Sequence, residues 1–264
     1  MNNRIGIFDS GLGGLTILTE VQALLPQEDL AYVADSAFAP YGNKDRATVL
    51  QRSLYIAKEL QHRHHMKALV VACNTATAAS IHILRERLDI PVIGMEPAIK
   101  PAVRQSKNGV VGILATEHTL KSDKFSNLLD IHQHQARILT QPCAGLVEAV
   151  EQGVFHSAET QALLASYVLP LVDQGVDTLV LGCTHYPWFE PMIREMLGND
   201  VLIISTGKAV AKQVQNKIVK SDHMQQGDID FYTTGDAGEV SALASQLLQN
   251  NVVFQTFYPQ HSRP

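Results

Sequence analysis

The sequence predicts an α/β fold made of two similar parallel-sheet units. Three observations lead there. Short β-branched runs alternate with longer helical stretches along the chain. The runs are apolar throughout instead of alternating in polarity, the pattern of parallel strands covered on both faces. Three blocks of sequence also recur in the same order at an offset of 106 to 110 residues.

The elements follow in order. Residues 4–8 form the first strand, and the glycine-rich turn Asp9-Ser10-Gly11-Leu12-Gly13-Gly14 leads into a helix over 14–25. A strand at 30–34 opens into a loop holding Pro40, Tyr41 and Gly42. A long helix over 44–65 closes on His62-Arg63-His64-His65, cations that suit the negative end of a helix dipole. Then come a strand at 68–72, a helix at 75–88 and a strand at 91–94. The pattern restarts with strands at 110–114, 137–139, 178–181 and 201–204, with a helix at 160–172. A strand at 230–232 and a helix at 238–249 finish the chain. Residues 221–228 read as an exposed loop, as do His132 and His134.

The repeat aligns Ile5-Gly6-Ile7-Phe8-Asp9-Ser10 with Val111-Gly112-Ile113-Leu114-Ala115-Thr116. It aligns Ala68-Leu69-Val70-Val71-Ala72-Cys73-Asn74-Thr75 with Thr178-Leu179-Val180-Leu181-Gly182-Cys183-Thr184-His185. Pro91-Val92-Ile93-Gly94 aligns with Val201-Leu202-Ile203-Ile204.

Composition narrows the function. The 264 residues are 45% hydrophobic and 18% charged, which excludes a disordered chain or a coiled coil. A net charge of −5 argues against a nucleic-acid binder. Three cysteines do not make a secreted disulfide framework and fit a reducing cytoplasm. The N-terminal residues carry no signal-peptide pattern, and no apolar run approaches a membrane span.

In an open parallel sheet, ligands bind beyond the carboxyl ends of the strands. The residues expected there are Asp9-Ser10, Asp35-Ser36, Cys73-Asn74-Thr75, Glu96, Thr116 and Cys183-Thr184-His185. Cys73 and Cys183 hold equivalent places in the repeat, each expected at the start of a helix, with Pro187 an early helical residue after Cys183. A thiol at a helix N-terminus is stabilised as thiolate. Two buried structural cysteines are the bland alternative. Units facing each other across a pseudo-twofold axis would set the thiols on opposite sides of one cleft, as removal and return of a carbon-bound proton requires. The thiols are 110 residues apart, a poor pattern for zinc, so no metal is expected. Asp9 could orient a thiol or cap a helix. The glycine turn lacks a P-loop lysine, so it is not read as a nucleotide site. Cys143 has no counterpart in the repeat and reads as a bystander.

These motifs resemble the glutamate racemases of the cofactor-independent aspartate/glutamate racemase superfamily. The resemblance rests on 5–15, Pro40-Tyr41-Gly42, 72–78, Gly182-Cys183-Thr184-His185-Tyr186-Pro187 and Phe231-Tyr232-Thr233-Thr234-Gly235-Asp236. It implies two flavodoxin-like units, the first over 1–97 plus 208–264 and the second over 98–207, with the active site in the cleft between them. It implies interconversion of L- and D-glutamate without a cofactor, supplying D-glutamate for peptidoglycan. Cys73 and Cys183 would be the acid/base thiols, with Asp9 near the first and His185 near the second. Glu151 would assist, a position it matches better than Glu148. Asp9, Ser10, Tyr41, Gly42, Asn74, Thr75, Thr184 and His185 would hold glutamate. Family members are often dimers, and some are activated by a cell-wall precursor; no nucleic acid or membrane partner is implied. An aspartate or hydantoin racemase, or a redox- or metal-sensing module without turnover, are the alternatives.

Overall fold

The structure is a computed structural model, and it describes residues 3–219, 221 and 225–258. The chain divides into two compact units. One comprises the residues up to Met95 together with those from Gly207 onward; the other is Glu96–Thr206.

The first unit begins with β1 (Arg4–Asp9), α1 (Leu15–Leu24), β2 (Leu30–Ala34), α2 (Arg46–Arg63), β3 (Met66–Val71), α3 (Asn74–Arg87) and β4 (Val92–Gly94). The second unit runs α4 (Ile99–Gln105), β5 (Val110–Ala115), α5 (Glu117–Leu120), α6 (Asp123–His132) and β6 (Arg137–Pro142). It continues through α7 (Leu146–Glu151), α8 (Ala158–Val172), β7 (Thr178–Leu181), α9 (Glu190–Leu197) and β8 (Leu202–Ser205). The chain then returns to the first unit with α10 (Gly207–Lys217), β9 (Ile229–Thr233), α11 (Ala237–Leu248) and β10 (Gln255–Thr256).

The strands of both sheets pair in parallel, as their uninterrupted apolar character predicts. The orders are β10-β9-β2-β1-β3-β4 and β6-β5-β7-β8. Each unit therefore repeats one arrangement, its second strand beside its first, then its third and fourth. The topology extends the repeat to β2 and β6, whose sequences do not align. β6 departs from the expected pattern of two covered faces: it is an edge strand, half exposed along its length. The two-residue β10 escapes the sequence pattern altogether.

Burial explains the order of the elements. In the first unit Phe8, Val33, Val49, Ile56, Leu60, Leu69, Val71 and Leu84 form one apolar core between sheet and helices. Val111, Ile113 and Val180 pack with Ile99, Ala102 and Phe125 in the second. Each fully buried aliphatic side chain contributes about 1.5–3 kcal/mol. Helix starts are specified locally: Asp45, Thr116, Ser122, Ser157 and Asp236 each accept a backbone N–H at the third position beyond. α2 ends in His62 and Arg63 as expected. His132 contradicts its reading as solvated loop. It is the last residue of α6 and is buried.

The C-terminal return is fastened by charge. Arg4 pairs with Asp230 on β9 at 3.1 Å. The buried Glu28 carboxylate pairs with Lys67 and accepts both the backbone N–H and the hydroxyl of Ser221 at 2.8 Å. Of the loop expected at 221–228, Asp222, His223 and Met224 lie outside the described residues; Gln225 and Gln226 are exposed.

Candidate active site

Because the strands of each sheet are parallel, their carboxyl ends gather along one edge. In the first unit that edge holds Asp9, Asp35 and Cys73, after β1, β2 and β3. In the second it holds Thr116, Cys143 and Cys183, after β5, β6 and β7. Each edge carries one of the two matched thiols.

Cys73 is the N-cap of α3, and its sulfur accepts the Ala76 N–H at 3.4 Å. The thiol thus sits at the positive end of a 14-residue helix, where the dipole and the unpaired amides favour a negative sulfur. Its Sγ lies 3.9 Å from the Ser10 hydroxyl. Asn74 and Thr75 form the first turn of the same helix, both buried. The amide oxygen and nitrogen of Asn74 are both buried without a hydrogen-bond partner. A buried amide in that condition is costly unless a ligand meets it.

Asp9 is fully buried at the end of β1. It does not cap α1, whose N-cap is Gly14. Its Oδ2 instead accepts the N–H groups of Gly11 at 3.3 Å and Gly14 at 2.9 Å, folding the glycine turn back on the strand end. Gly14 is required at this turn. A Cβ there would lie 2.5 Å from the Asp9 Cβ and 2.8 Å from the Tyr32 hydroxyl oxygen. Tyr41 and Gly42 lie in a short 3-10 turn, Tyr41 fully buried. The Tyr41 hydroxyl donates to Asp35 at 2.5 Å.

Cys183 follows β7 after Gly182, whose missing side chain lets the strand end pass within contact of β5. A Cβ at Gly182 would lie 2.7 Å from the Leu114 carbonyl oxygen. Here one expectation is corrected. Cys183 does not open an α-helix. The chain makes a short 3-10 turn, Tyr186–Phe189, and α9 starts only at Glu190. Pro187 lies early in the 3-10 turn and Pro191 early in α9, dividing the segment in two.

What Cys183 has instead is a histidine. Its Sγ lies 3.8 Å from His185 Nδ1, and the Thr184 hydroxyl lies 3.5 Å from the same nitrogen. On the far side, His185 Nε2 meets Glu151 Oε1 at 2.6 Å. Glu151 is the last residue of α7. Burial alone would lower the His185 pKa, but its bonds to Cys183 and Glu151 and their negative charges outweigh that and hold it well above the ordinary histidine value. These partners favour a protonated imidazole beside a negative sulfur. Glu148 lies on the same helix, and its charge helps raise the pKa of Tyr186 and Tyr167. Glu151 is the carboxylate on His185 Nε2.

Cys143 is buried at the end of β6. Its Sγ contacts the Gln141 carbonyl oxygen at 3.4 Å, and its own carbonyl accepts the Tyr186 hydroxyl at 3.1 Å. Burial and the nearby Cys183 push its thiol up, away from the thiolate. Among the described residues no three His, Cys, Asp or Glu side chains gather as metal donors. Glu96 pairs with Lys124, and Thr116 caps α5. The half-buried Arg52 and Thr234 bond the buried Asp35 carboxylate beside Tyr41. Sequence reasoning placed Asp35 at a strand end without a role and had no signal for Arg52.

The chain matches the family described as Asp/Glu/Hydantoin racemase over residues 16–214. It is 46% identical to a glutamate racemase of Stutzerimonas stutzeri over 256 residues, 96% of this chain and 97% of that one. Its fold superimposes on a glutamate racemase isoform of Bacillus anthracis with a TM-score of 0.87 at 33% identity, covering 96% and 97% of the two chains. It is also similar to the Escherichia coli glutamate racemase solved with L-glutamate and the activator UDP-MurNAc-Ala, with a TM-score of 0.82, 30% identity and 96% and 97% coverage.

Proposed function

The chain belongs to the Asp/Glu/hydantoin racemase family, and from that premise we propose how its own residues carry out the reaction. It is an isomerase that interconverts L- and D-glutamate. Racemisation removes the α-proton from one face of the carbon and returns a proton to the other. Cys73 and Cys183 divide that task. One starts as thiolate and takes the α-proton, becoming a thiol. The other starts as thiol and gives its proton, becoming a thiolate. After turnover the two protonation states are exchanged, which is the starting state for the reverse reaction.

The residues around each thiol suit both states. The α3 amides and dipole stabilise Cys73 as thiolate. The His185 cation, held by Glu151, stabilises Cys183 as thiolate and can restore its proton. Asn74, Thr75, Ser10 and Thr184, buried at the strand ends, supply donors to the substrate carboxylates. Asp9 shapes the turn that carries Ser10.

The observation that carries this reading is the matched pair of buried thiols, one capping α3 and the other beside the His185–Glu151 pair. The test is direct. Purified protein given L-glutamate without pyridoxal phosphate should bring the circular dichroism of the solution to zero. Full racemisation by both Cys73→Ser and Cys183→Ser would overturn the two-thiol assignment. We further infer a cytoplasmic role in making D-glutamate for peptidoglycan, supported by three free cysteines. Activation by a UDP-linked muramyl precursor follows from the E. coli relative; an assay with and without that precursor decides it.

A further inference from the structure

Asp35 has no part in the chemistry above, yet its side chain is bonded from several elements. It is fully buried at the end of β2, and its backbone N–H donates to the Asp9 carbonyl at 3.0 Å. Its carboxylate collects four side-chain donors. Oδ2 accepts the Tyr41 hydroxyl at 2.5 Å and Arg52 Nε at 2.9 Å. Oδ1 accepts Arg52 Nη2 and the Thr234 hydroxyl, each at 2.7 Å.

These donors come from the loop after β2, from α2 and from the end of β9, as far as 199 positions apart in sequence. They converge on one segment. Tyr41 lies in it. The Arg52 guanidinium stacks 3.8 Å from the Phe38 ring and 4.7 Å from the Tyr55 ring. The Thr234 oxygen accepts the Ala37 N–H at 3.2 Å. Residues 36–43 are thus held by a hydroxyl, a ring and an amide, all through Asp35 or its partners.

A tyrosine has one hydroxyl proton. Here it lies on Asp35, so Tyr41 has no second proton to give a substrate carboxylate. The fork of Arg52 also neutralises Asp35, so that no uncompensated buried anion is added near a dicarboxylate substrate.

We propose that Asp35, Arg52 and Thr234 are positioning residues that hold the Tyr41–Gly42 turn in its substrate-binding shape, the Tyr41 hydroxyl serving the clamp instead of contacting the substrate carboxylate. This rests on the reading that the turn borders glutamate. Its signature is a KM effect, since neither thiol is touched.

Steady-state kinetics in both directions on Arg52→Gln, Arg52→Lys, Tyr41→Phe and Thr234→Val test it, with hydrogen exchange of segment 36–43 measured in the free proteins. Arg52→Gln should raise KM about tenfold, the usual weight of a charged hydrogen bond, with kcat changed less than about threefold. Arg52→Lys should recover part of that loss, because an ammonium keeps the charge without the fork. Tyr41→Phe and Thr234→Val should each raise KM about threefold and quicken exchange in 36–43. Unchanged KM and unchanged exchange in folded Tyr41→Phe and Thr234→Val would overturn the clamp, even should Arg52→Gln fail to fold. A loss confined to kcat would overturn it too. Exchange is read without substrate, so wild-type protein inert toward glutamate would sink the proposed function and leave this readout intact.

Discussion

The two strand edges that carry the thiols share a topology and differ in chemistry. On the first, Cys73 caps a 14-residue α-helix and touches a serine hydroxyl. On the second, Cys183 has no α-helix behind it and faces a histidine that a carboxylate bonds on its far side. One sulfur is served by fixed backbone dipoles and the other by a group that can itself gain and lose a proton. A repeated fold therefore supplied two equivalent positions, and the residues around each surround the sulfur with different groups. pH should act mainly on the second edge.

The comparison is sharpest where it breaks. Serine at either thiol leaves a group too weakly acidic to exchange protons at neutral pH. Cys73→Ser and Cys183→Ser should each lower kcat for racemisation by about 10²–10⁴-fold, the usual weight of general acid–base catalysis, as followed by polarimetry. Equal losses mean that both edges work in every turnover.

Glu151→Gln separates the edges. It removes the charge on His185 Nε2 and should lower kcat by roughly tenfold or more. His185 should then lose its proton at lower pH, so the limb of the pH–rate profile that it governs moves toward acid. The stability linkage has the same sign. The His185 pKa is raised in the folded protein, so its contribution is fully present below about pH 6.5, the ordinary histidine value, and is lost as pH rises through the elevated folded value. In Glu151→Gln that loss should begin at lower pH, as thermal melts across pH will show. Gln at 151 leaving the profile where it was would contradict the assigned role.

Ser10→Ala probes the first edge. Its hydroxyl contact to Cys73 is long, so the loss should stay within about fivefold and be independent of pH. The smallest effect belongs to Cys143→Ala. Burial holds that thiol protonated, so rates should remain within about twofold of wild type, and a cavity cost of about 1–2 kcal/mol should appear in chemical denaturation alone.

The sequence revealed most where burial is complete. β2 and β7 were legible to the residue, because a strand covered on both faces must be apolar along its length. The exposed edge strand β6 and the two-residue β10 carry too little of that signal. In the site, the repeat singled out Cys73 and Cys183 from three cysteines. Local pattern could not tell the 3-10 turn after Cys183 from an α-helix, since the proline that suits an early helical turn suits both. Nor could it find Arg52. An arginine on an amphipathic helix reads as solvated, and only the fold brings it under Asp35. His132 was misread for the same reason in reverse: a polar residue at a helix end is buried by what packs over it.

The first unit is completed by a segment that is made after the second unit. β9 pairs along the outer edge of β2, from Leu30–Ile229 to Ala34–Thr233, and Thr234 supplies the final donor to Asp35. On the ribosome, at about 5–20 residues per second, the second unit has emerged whole while the first still shows a bare strand edge. For roughly 8–32 seconds the nascent chain carries Cys73 on an unfinished sheet whose edge is open to pairing with a neighbouring polypeptide. The contiguous unit can fold as it is synthesised; the interrupted unit must wait for β9.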